Sequence, residues 1–460
     1  MESPLFTFQE IADVTGGTIY GPFDPAGVVT TVSTDTRTVG ADSLFIALKG
    51  ENFDAHNFLS NAVSNGAVLL CIEADSVQKL PEGVAAIAVK STVEAYRLLA
   101  KHHRGKFPGL ITAALTGSCG KTSTKECLRA IFNHVYGAEH VLATEGNTNN
   151  HIGVPRNLLN LTAAHKAAVL ELGTSNFGEI APLSDAVRPQ NSLIVSIRSS
   201  HIENFKTLDG TATEKSDVFK YLPPEGAGVI PYDCPGNAVL RNALAGHKIL
   251  TFGPEAEADF RSEYLGGDLR GATFRITRKD TGEQQTVHWS VPGAHQACNA
   301  AGAAALASLF GITLEQAASG IAQTVLPGMR MRITERDGMT WVNDAYNANP
   351  DSMKASLTWL AEFADPQKLV LILGNMAELG EYAETGHREV LEMARKLFPG
   401  ARLLVVGPDM KRAAETLAIP PDAVFPDSAE AAESVKNYLR EGDIIFLKAS
   451  RSTKMEKIEG

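Results

Sequence analysis

The sequence predicts a three-domain α/β protein, in which a central, mostly parallel sheet with helices on both faces is flanked by a small N-terminal α/β domain and a C-terminal Rossmann-like α/β domain. Three observations predict it. At 460 residues the chain outgrows a single hydrophobic core, which rarely extends past ~250–300 residues. From LITAALTG to GAGVIP, short apolar runs alternate with helical segments, the pattern of a parallel sheet. After LPGMRMRI the alternation restarts, which marks another unit. The expected domains are residues 1–88, 89–326 and 327–460.

Taken in order, STDTRTV, SLFIALKG, the helical NFLSNAVSNGA and the strand VLLCI make a compact first unit with polar turns. TVEAYRLLAKHHRG predicts a connecting helix into the strand LITAALTG. AAVLELG, SLIVSI and GAGVIP continue the central sheet, and PGAHQACNAAGAAALASLFG predicts a helix rich in small residues. LVLILGN, RLLVVG and DIIFLKAS supply strands of the third unit. No repeat of fixed period and no low-complexity segment interrupts this order.

Composition narrows the function classes. With 44% apolar and 21% charged residues the chain reads as an ordinary globular protein. A net charge of -11 without a run of Lys and Arg argues against binding nucleic acid. Five scattered cysteines (Cys71, Cys119, Cys127, Cys234 and Cys298) without a C-x-x-C pair fit a reducing compartment. MESPLFTFQEIADVTGG lacks a basic region followed by an apolar run, and no stretch approaches the ~20 apolar residues that span a bilayer. A cytoplasmic protein without membrane insertion is expected, and nothing demands more than a monomer.

LTGSCGKTSTKECL carries the strongest local signal. An apolar strand ends in Gly117, Ser118, Cys119, Gly120, Lys121, Thr122 and Ser123, and a helix follows, which makes the central sheet P-loop-type. Glycines let backbone amides converge on an anion at the helix N-terminus, the lysine adds charge for terminal phosphates, and the threonine hydroxyl suits magnesium. Leu115 stands where the standard spacing has its first glycine. A chance glycine turn is the weaker reading, because strand, turn, Lys-Thr and helix occur in order. Cys119 reads as a small filler of the loop.

Further candidates are weaker singly. Glu171 ends the apolar strand AAVLELG, at the edge where such sheets bind ligands; it reads equally as a magnesium ligand or a solvated strand-end carboxylate. His201 follows SLIVSI and alone reads as structural, while Lys215, in TATEKSDVFKYL, alone reads as a surface lysine. Asn299, and the Asn343, Asp344, Tyr346, Asn347 and Asn349 cluster, suit tight turns as well as a site. Arg330, before a strand, is either an exposed arginine or a phosphate fork.

In their order, TGSCGKTSTK, TEGNTNNHIGVP, LELGTSNFGEI, HIENF, the lysine of EKSD, GAHQACNAA, GMRMRI, DAYNANPDSM, GNMAELGEYAETGH and LKASRSTKMEKI resemble the Mur ligases. STDTR, LFIALKGENFDAH and NGA resemble that family's UDP-binding domain, so the likeness runs from about Ser33 to Lys457. DAYNANPDSM and MAELG resemble most closely the members that add D-alanyl-D-alanine to a UDP-N-acetylmuramoyl-tripeptide. The resemblance implies that Gly117 to Ser123 hold ATP, that Glu171 and His201 organise Mg2+ with Thr122, and that Lys215 is carbamylated and also serves the metal. It implies that Asn299 contacts adenine, and that Arg330, Asp344 and Asn347 close over ATP. Asn149 and Asn150 would face the muramoyl-peptide, and Ser33, Asp35, Thr36 and Arg37 the nucleotide sugar. Lys121, Glu171, His201 and Lys215 would be the catalytic set. The chain departs from the family pattern at Arg198 and Ala449, where glycine is usual, at Asp217 of Lys215-Ser216-Asp217, and at Asn343 and Asn375, where acids are usual.

The implied chemistry is ATP-driven activation of a carboxylate as an acyl phosphate, followed by amine attack, with no covalent enzyme intermediate. Sites on three domains imply closure around the substrates. A folylpolyglutamate synthase or a ligase for an earlier muramoyl-peptide step would share this chemistry, though STDTR and LFIALKG argue against the folate enzyme. A nucleotide-sugar-binding module that has lost catalysis, or an ATP-hydrolysing switch, are the readings from other classes.

Overall fold

The structure, a computed structural model, describes residues 4–50, 52–199 and 202–459. Three large sheets, beside the small antiparallel pair Phe6–Thr7 and Val28–Val29, organise the described residues as a three-domain α/β protein. The first has five strands in the order Thr18–Tyr20, Ala86–Val89, Ala67–Glu73, Ser43–Ile46 and Thr31–Ser33, parallel except for the Thr18–Tyr20 edge. The helix Thr92–Gly105, capped by the Ser91 hydroxyl, packs between this unit and the helices Gly153–Leu159 and Ile180–Val187 of the next.

The central sheet has nine strands. Val141–Ala143, Ala167–Glu171, Ile111–Thr116, Asn191–Ile194, Ala227–Pro231 and Lys248–Gly253 run parallel, with Ile111–Thr116 between Ala167–Glu171 and Asn191–Ile194. These strands are covered on both faces, so they read as unbroken apolar runs instead of alternating ones. Beyond Lys248–Gly253 the sheet changes character. Phe260–Asp268 begins parallel, then pairs antiparallel with Gly271–Arg278, which pairs antiparallel with Gln284–Trp289. The sequence reading found no strand in this stretch. Its polar faces, as in QQTVHW with alternating exposure, carry a period of two that a search for buried parallel strands passes over.

The third sheet opens with the antiparallel pair Arg332–Arg336 and Met339–Asn343 and continues in parallel through Ile444–Lys448, Leu369–Gly374, Arg402–Val406 and Ala423–Phe425. One apolar cluster joins the central and third units, from Leu115 and Ile131 to Leu371 and Phe446. Tyr264 adds a polar tie, its hydroxyl donating to Glu362 at 2.6 Å.

Small residues set the depth of packing around the loop-bearing helix Lys121–Tyr136. The alanine-rich helix His295–Ser308 lies against it, buried along most of its length. The helix Leu314–Ala322 crosses it at Gly320, where a Cβ would lie 2.5 Å from the Cα of Ile131. That contact is backbone against side-chain root and cannot yield by a rotamer change. Gly320→Ala is expected to cost about 1–3 kcal/mol through overpacking, read as a lower urea midpoint; an unchanged midpoint would mean that the two helices part freely.

Candidate active site

The site begins where the strand Ile111–Thr116 stops. Gly120 has a left-handed backbone (φ +80°), and a Cβ there would meet the Asn299 side-chain oxygen at 2.5 Å, so both conformation and space demand glycine. It is also the N-cap of Lys121–Tyr136 and offers no side chain to the first-turn amides, which leaves them for an anion. The loop is stitched to the neighbouring strand end. Ser118 N–H donates to Ser196 C=O at 2.8 Å, Cys119 N–H donates to Ser196 Oγ at 2.9 Å, and Arg198 N–H donates to Ser118 Oγ at 2.9 Å. Lys121 folds back over the loop, its ammonium donating to the carbonyls of Gly117 (2.7 Å) and Ser118 (3.3 Å), and burial lowers its pKa. Thr122 and Ser123 are buried beside it.

Glu171 ends the adjacent strand almost fully buried. One carboxylate oxygen accepts from Asn149 Nδ2 at 2.8 Å, and the other is buried with no hydrogen-bond partner among the described residues. An isolated carboxylate oxygen out of water is costly, so this atom is poised for a cation. Lys215, which alone reads as a surface lysine, is 1% exposed, its ammonium over the Phe205 ring at 5.8 Å. Burial, then the charge of Lys121, pushes it down to about 7, although Glu214 favours the charged form. His201 lies outside the described residues.

A cleft of 960 Å³ joins the phosphate loop and Glu171 to the third domain, and Lys215 is not among the residues that line it. Its walls hold the loop from Ser118 to Ser123, Asn149, Asn150, Glu171 and Asn299 on one side, and Arg330, Asp344, Asn347 and Lys448 on the other. Arg330 stacks on Tyr346 with its guanidinium 3.8 Å from the ring centroid, and its charge reaches Lys121. Asp344 is ion-paired with the buried Lys448. Asn299 is held by Gln296 at 2.9 Å, whereas Asn347 accepts from its neighbour's amide, Ala348 N–H, at 2.9 Å. Asn150 caps a turn, accepting from Ile152 and Gly153 amides at 3.1 and 2.9 Å.

The structure does not bring Ser33, Asp35, Thr36 and Arg37 to this cleft; they sit on the first domain. Ser33 Oγ donates to Asp35 C=O at 2.9 Å, and Asp35 binds the exposed Arg37 guanidinium, which holds its carboxyl down at about 2.

Most departures from the family pattern have local partners. Asn343 donates to Glu459 at 2.5 Å, and Glu459 is paired with Arg332 at 2.6 Å, so an acid at 343 would face an acid. Asn375 accepts from the amides of Asp409 and Met410 at 3.1 and 3.0 Å while donating to the Asp409 carboxylate at 3.0 Å, a pairing that requires an amide. Ala449 is fully buried and would touch a Cβ at Gly374. Arg198 keeps its backbone on Ser118 and leaves its side chain exposed at the cleft, where its charge acts on Cys234 and Cys298.

Sequence reasoning missed the support beneath the loop. Lys125 is 1% exposed, donates to Thr144 C=O at 2.8 Å and is paired with buried Glu126, which also holds Arg129 at 2.6 Å. Thr144 Oγ1 in turn accepts the Glu171 amide at 2.9 Å. Adjacent charges on a helix ordinarily mark a solvated face, and only the covering strands reveal this pair as internal.

The chain matches three family descriptions: Mur ligase family, catalytic domain (residues 28–104), Mur ligase middle domain (115–307) and Mur ligase, glutamate ligase domain (329–451). It is 33% identical to a UDP-N-acetylmuramoyl-tripeptide--D-alanyl-D-alanine ligase of Bacillus subtilis, over 98% of this chain and 97% of the relative. A crystal structure of MurF from Acinetobacter baumannii superposes with a TM-score of 0.90 at 30% identity, covering 100% of this chain and 98% of that one. MurF ligase from Thermotoga maritima in complex with ADP gives 0.81 at 25% identity, covering 93% and 96%.

Two outcomes follow from this geometry. Lys125→Met is expected to leave buried Glu126 with Arg129 alone and to destabilise by about 3–5 kcal/mol, measured by chemical unfolding; a loss under 1 kcal/mol, on the order of a surface pair, would sink the view of Lys125 as an internal support. An unfolded lysine titrates near 10.5, so between about 7 and that value the unfolded chain binds a proton that folded Lys215 does not. Lys215 therefore makes stability rise with pH across this window. Lys215→Met is expected to flatten that slope and raise the midpoint at pH 7; an identical slope in both proteins would assign it to other groups.

Proposed function

The chain belongs to the Mur ligase family, and on that premise we propose that it joins D-alanyl-D-alanine to UDP-N-acetylmuramoyl-tripeptide at the cost of ATP, giving the UDP-N-acetylmuramoyl-pentapeptide used for peptidoglycan. The observation that carries the reading is one cleft holding an open-amide phosphate loop with its lysine, a strand-end carboxylate with a buried oxygen unpartnered among the described residues, and Arg330 on the third-domain wall.

ATP enters as substrate. The tripeptide's terminal carboxylate attacks the γ-phosphorus, the bond to ADP breaks, and an acyl phosphate forms. The amine of D-alanyl-D-alanine then attacks the acyl carbon, phosphate leaves, and the amine gives up a proton. Two anions must approach in the first step, and the protein offsets their repulsion by charge and position. Lys121, drawn from the loop carbonyls onto the terminal phosphates, and the first-turn amides of Lys121–Tyr136 hold the nucleotide. Asn299, packed against Gly120, would contact the purine. Arg330, held flat on Tyr346, supplies a second cation from the third domain, beside Asp344 and Asn347.

The donor set fits magnesium. Among the described residues no three His, Cys, Asp or Glu side chains form a metal cluster, and magnesium commonly takes one or two carboxylates with substrate phosphates and water. Thr122 and Glu171, with its free oxygen, would hold the ion, His201 would complete its surroundings, and it would supply charge neutralisation of the phosphates. Lys215, with an amine neutral part of the time near pH 7, suits carbamylation into an anionic partner of a second ion. Asn149, on Glu171, and Asn150 would face the muramoyl-peptide, and Ser33, Asp35, Thr36 and Arg37 would take the nucleotide sugar on the first domain, in a chain divided at 88/89 and 326/327. No helix among the described residues is long and apolar enough to cross a membrane, and on this reading the reaction is cytoplasmic, carried out by a monomer.

Phosphate release is expected only with both UDP-N-acetylmuramoyl-tripeptide and D-alanyl-D-alanine, with a product heavier by one dipeptide residue in mass spectrometry. Release indifferent to the muramoyl-peptide would favour a nucleotide switch instead. Lys121→Ala and Lys215→Ala should each lower kcat/KM by about 10²-fold or more, and chelation should abolish turnover until magnesium is returned. Full activity of Lys215→Ala would remove the carbamate from the mechanism.

A further inference from the structure

The residue next to Lys215 is tied to the site by more hydrogen bonds than Lys215 itself. Glu214 is 2% exposed, yet its carboxylate is surrounded by donors from a segment more than thirty positions earlier in the chain. Gly178 N–H donates to one oxygen at 2.6 Å, while Glu179 N–H (3.0 Å), Ile180 N–H (2.8 Å) and the Thr174 hydroxyl (3.3 Å) donate to the other. These amides open the helix Ile180–Val187, whose own N-cap, Glu179, makes no capping bond with its side chain. Glu214 therefore caps that helix from another one, Leu208–Ser216, with a negative charge on the positive end of the helix dipole.

The segment so held is the continuation of the Glu171 strand. Thr174, Ser175 and Glu179 line the cleft, and Phe177 between them is 53% exposed. Near Glu214 the segment makes lighter contacts with the short helix Ile202–Phe205: Asn204 Nδ2 donates to Ser175 C=O at 2.9 Å, and Phe177 meets Phe205 edge-on at 5.3 Å. Among these contacts of the described residues, the Glu214 contact is both charged and buried.

We propose that Glu214 is a positioning residue: one carboxylate locks the cleft-lining segment 174–179 onto the helix that carries Lys215, and so sets the wall that receives the acceptor peptide. The identity of that peptide rests on the ligase reading above; the lock itself does not. Without the lock, segment 174–179 would loosen while the phosphate loop, held separately through Ser196 and Arg198, would not.

The test compares Glu214→Ala and Glu214→Gln in the full chain by amide hydrogen exchange and steady-state kinetics. In Glu214→Ala the amides of 178–180 are expected to exchange faster, and KM for UDP-N-acetylmuramoyl-tripeptide to rise about tenfold with KM for ATP within about twofold. Glu214→Gln, which keeps an acceptor but loses the charge, is expected to fall between. Unchanged exchange at 178–180, or equal shifts in both KM values, would overturn the proposal, as would a lower melting temperature with both KM values intact, which marks a purely structural role. Should the alanine variant fail to fold, the glutamine variant decides by the same split. A wild-type chain that never turns over the muramoyl-peptide would instead sink the ligase reading, and the exchange result would still judge the lock.

Discussion

The junction between the phosphate loop and the Glu171 strand is the constraint on which the rest of the structure depends. A loop whose amides face an anion cannot satisfy them internally, so its shape has to be imposed from outside. Here the neighbouring strand end does this through Ser196 and Arg198, while Lys125 reaches from the loop's own helix to Thr144, which holds the Glu171 amide. Loop, carboxylate and lysine are thus fixed relative to one another before any substrate arrives. Such preorganisation is what makes charge effective in a dry cleft.

The same junction accounts for the unusual density of buried charge in an acidic protein. Lys125, Lys215 and Lys448 are all nearly inaccessible, and each is compensated differently. Lys125 and Lys448 have carboxylate partners in Glu126 and Asp344. Lys215 has an aromatic ring and the charge of Glu214 nearby, but Glu214 is already engaged by three amides and a hydroxyl, and the lysine's proton is correspondingly loosely held. Among the described residues Lys215 has no dedicated counter-ion, and it is the lysine proposed above for carbamylation.

The third domain contributes to the site by shared core and by charge. Its apolar residues continue the central cluster, and Tyr264 with Glu362 ties the antiparallel extension to it. Arg330 and Asp344 reach the cleft from the start and end of the strand pair Arg332–Arg336 and Met339–Asn343, a placement that follows from the crossover to Ile444–Lys448 and its Lys448.

Local signals determined a great deal. The apolar runs of the parallel strands, the helix beginning at Thr92 and the strand-loop-helix around Lys121 are legible because buried strands and helix starts carry their own residue patterns. The order of short motifs was enough to point to the family. What only the tertiary structure decided lies in contacts between distant segments. Lys125 and Glu214 look like solvated helix charges until strands and helices cover them, and Lys215 changes from a surface lysine to a buried amine for the same reason. The departures at Asn343 and Asn375 acquire a cause only when Glu459 and Asp409 come beside them. Residue type is written along the chain, but burial and partnership depend on which segments meet, and those set the charge a side chain carries and the atom it faces.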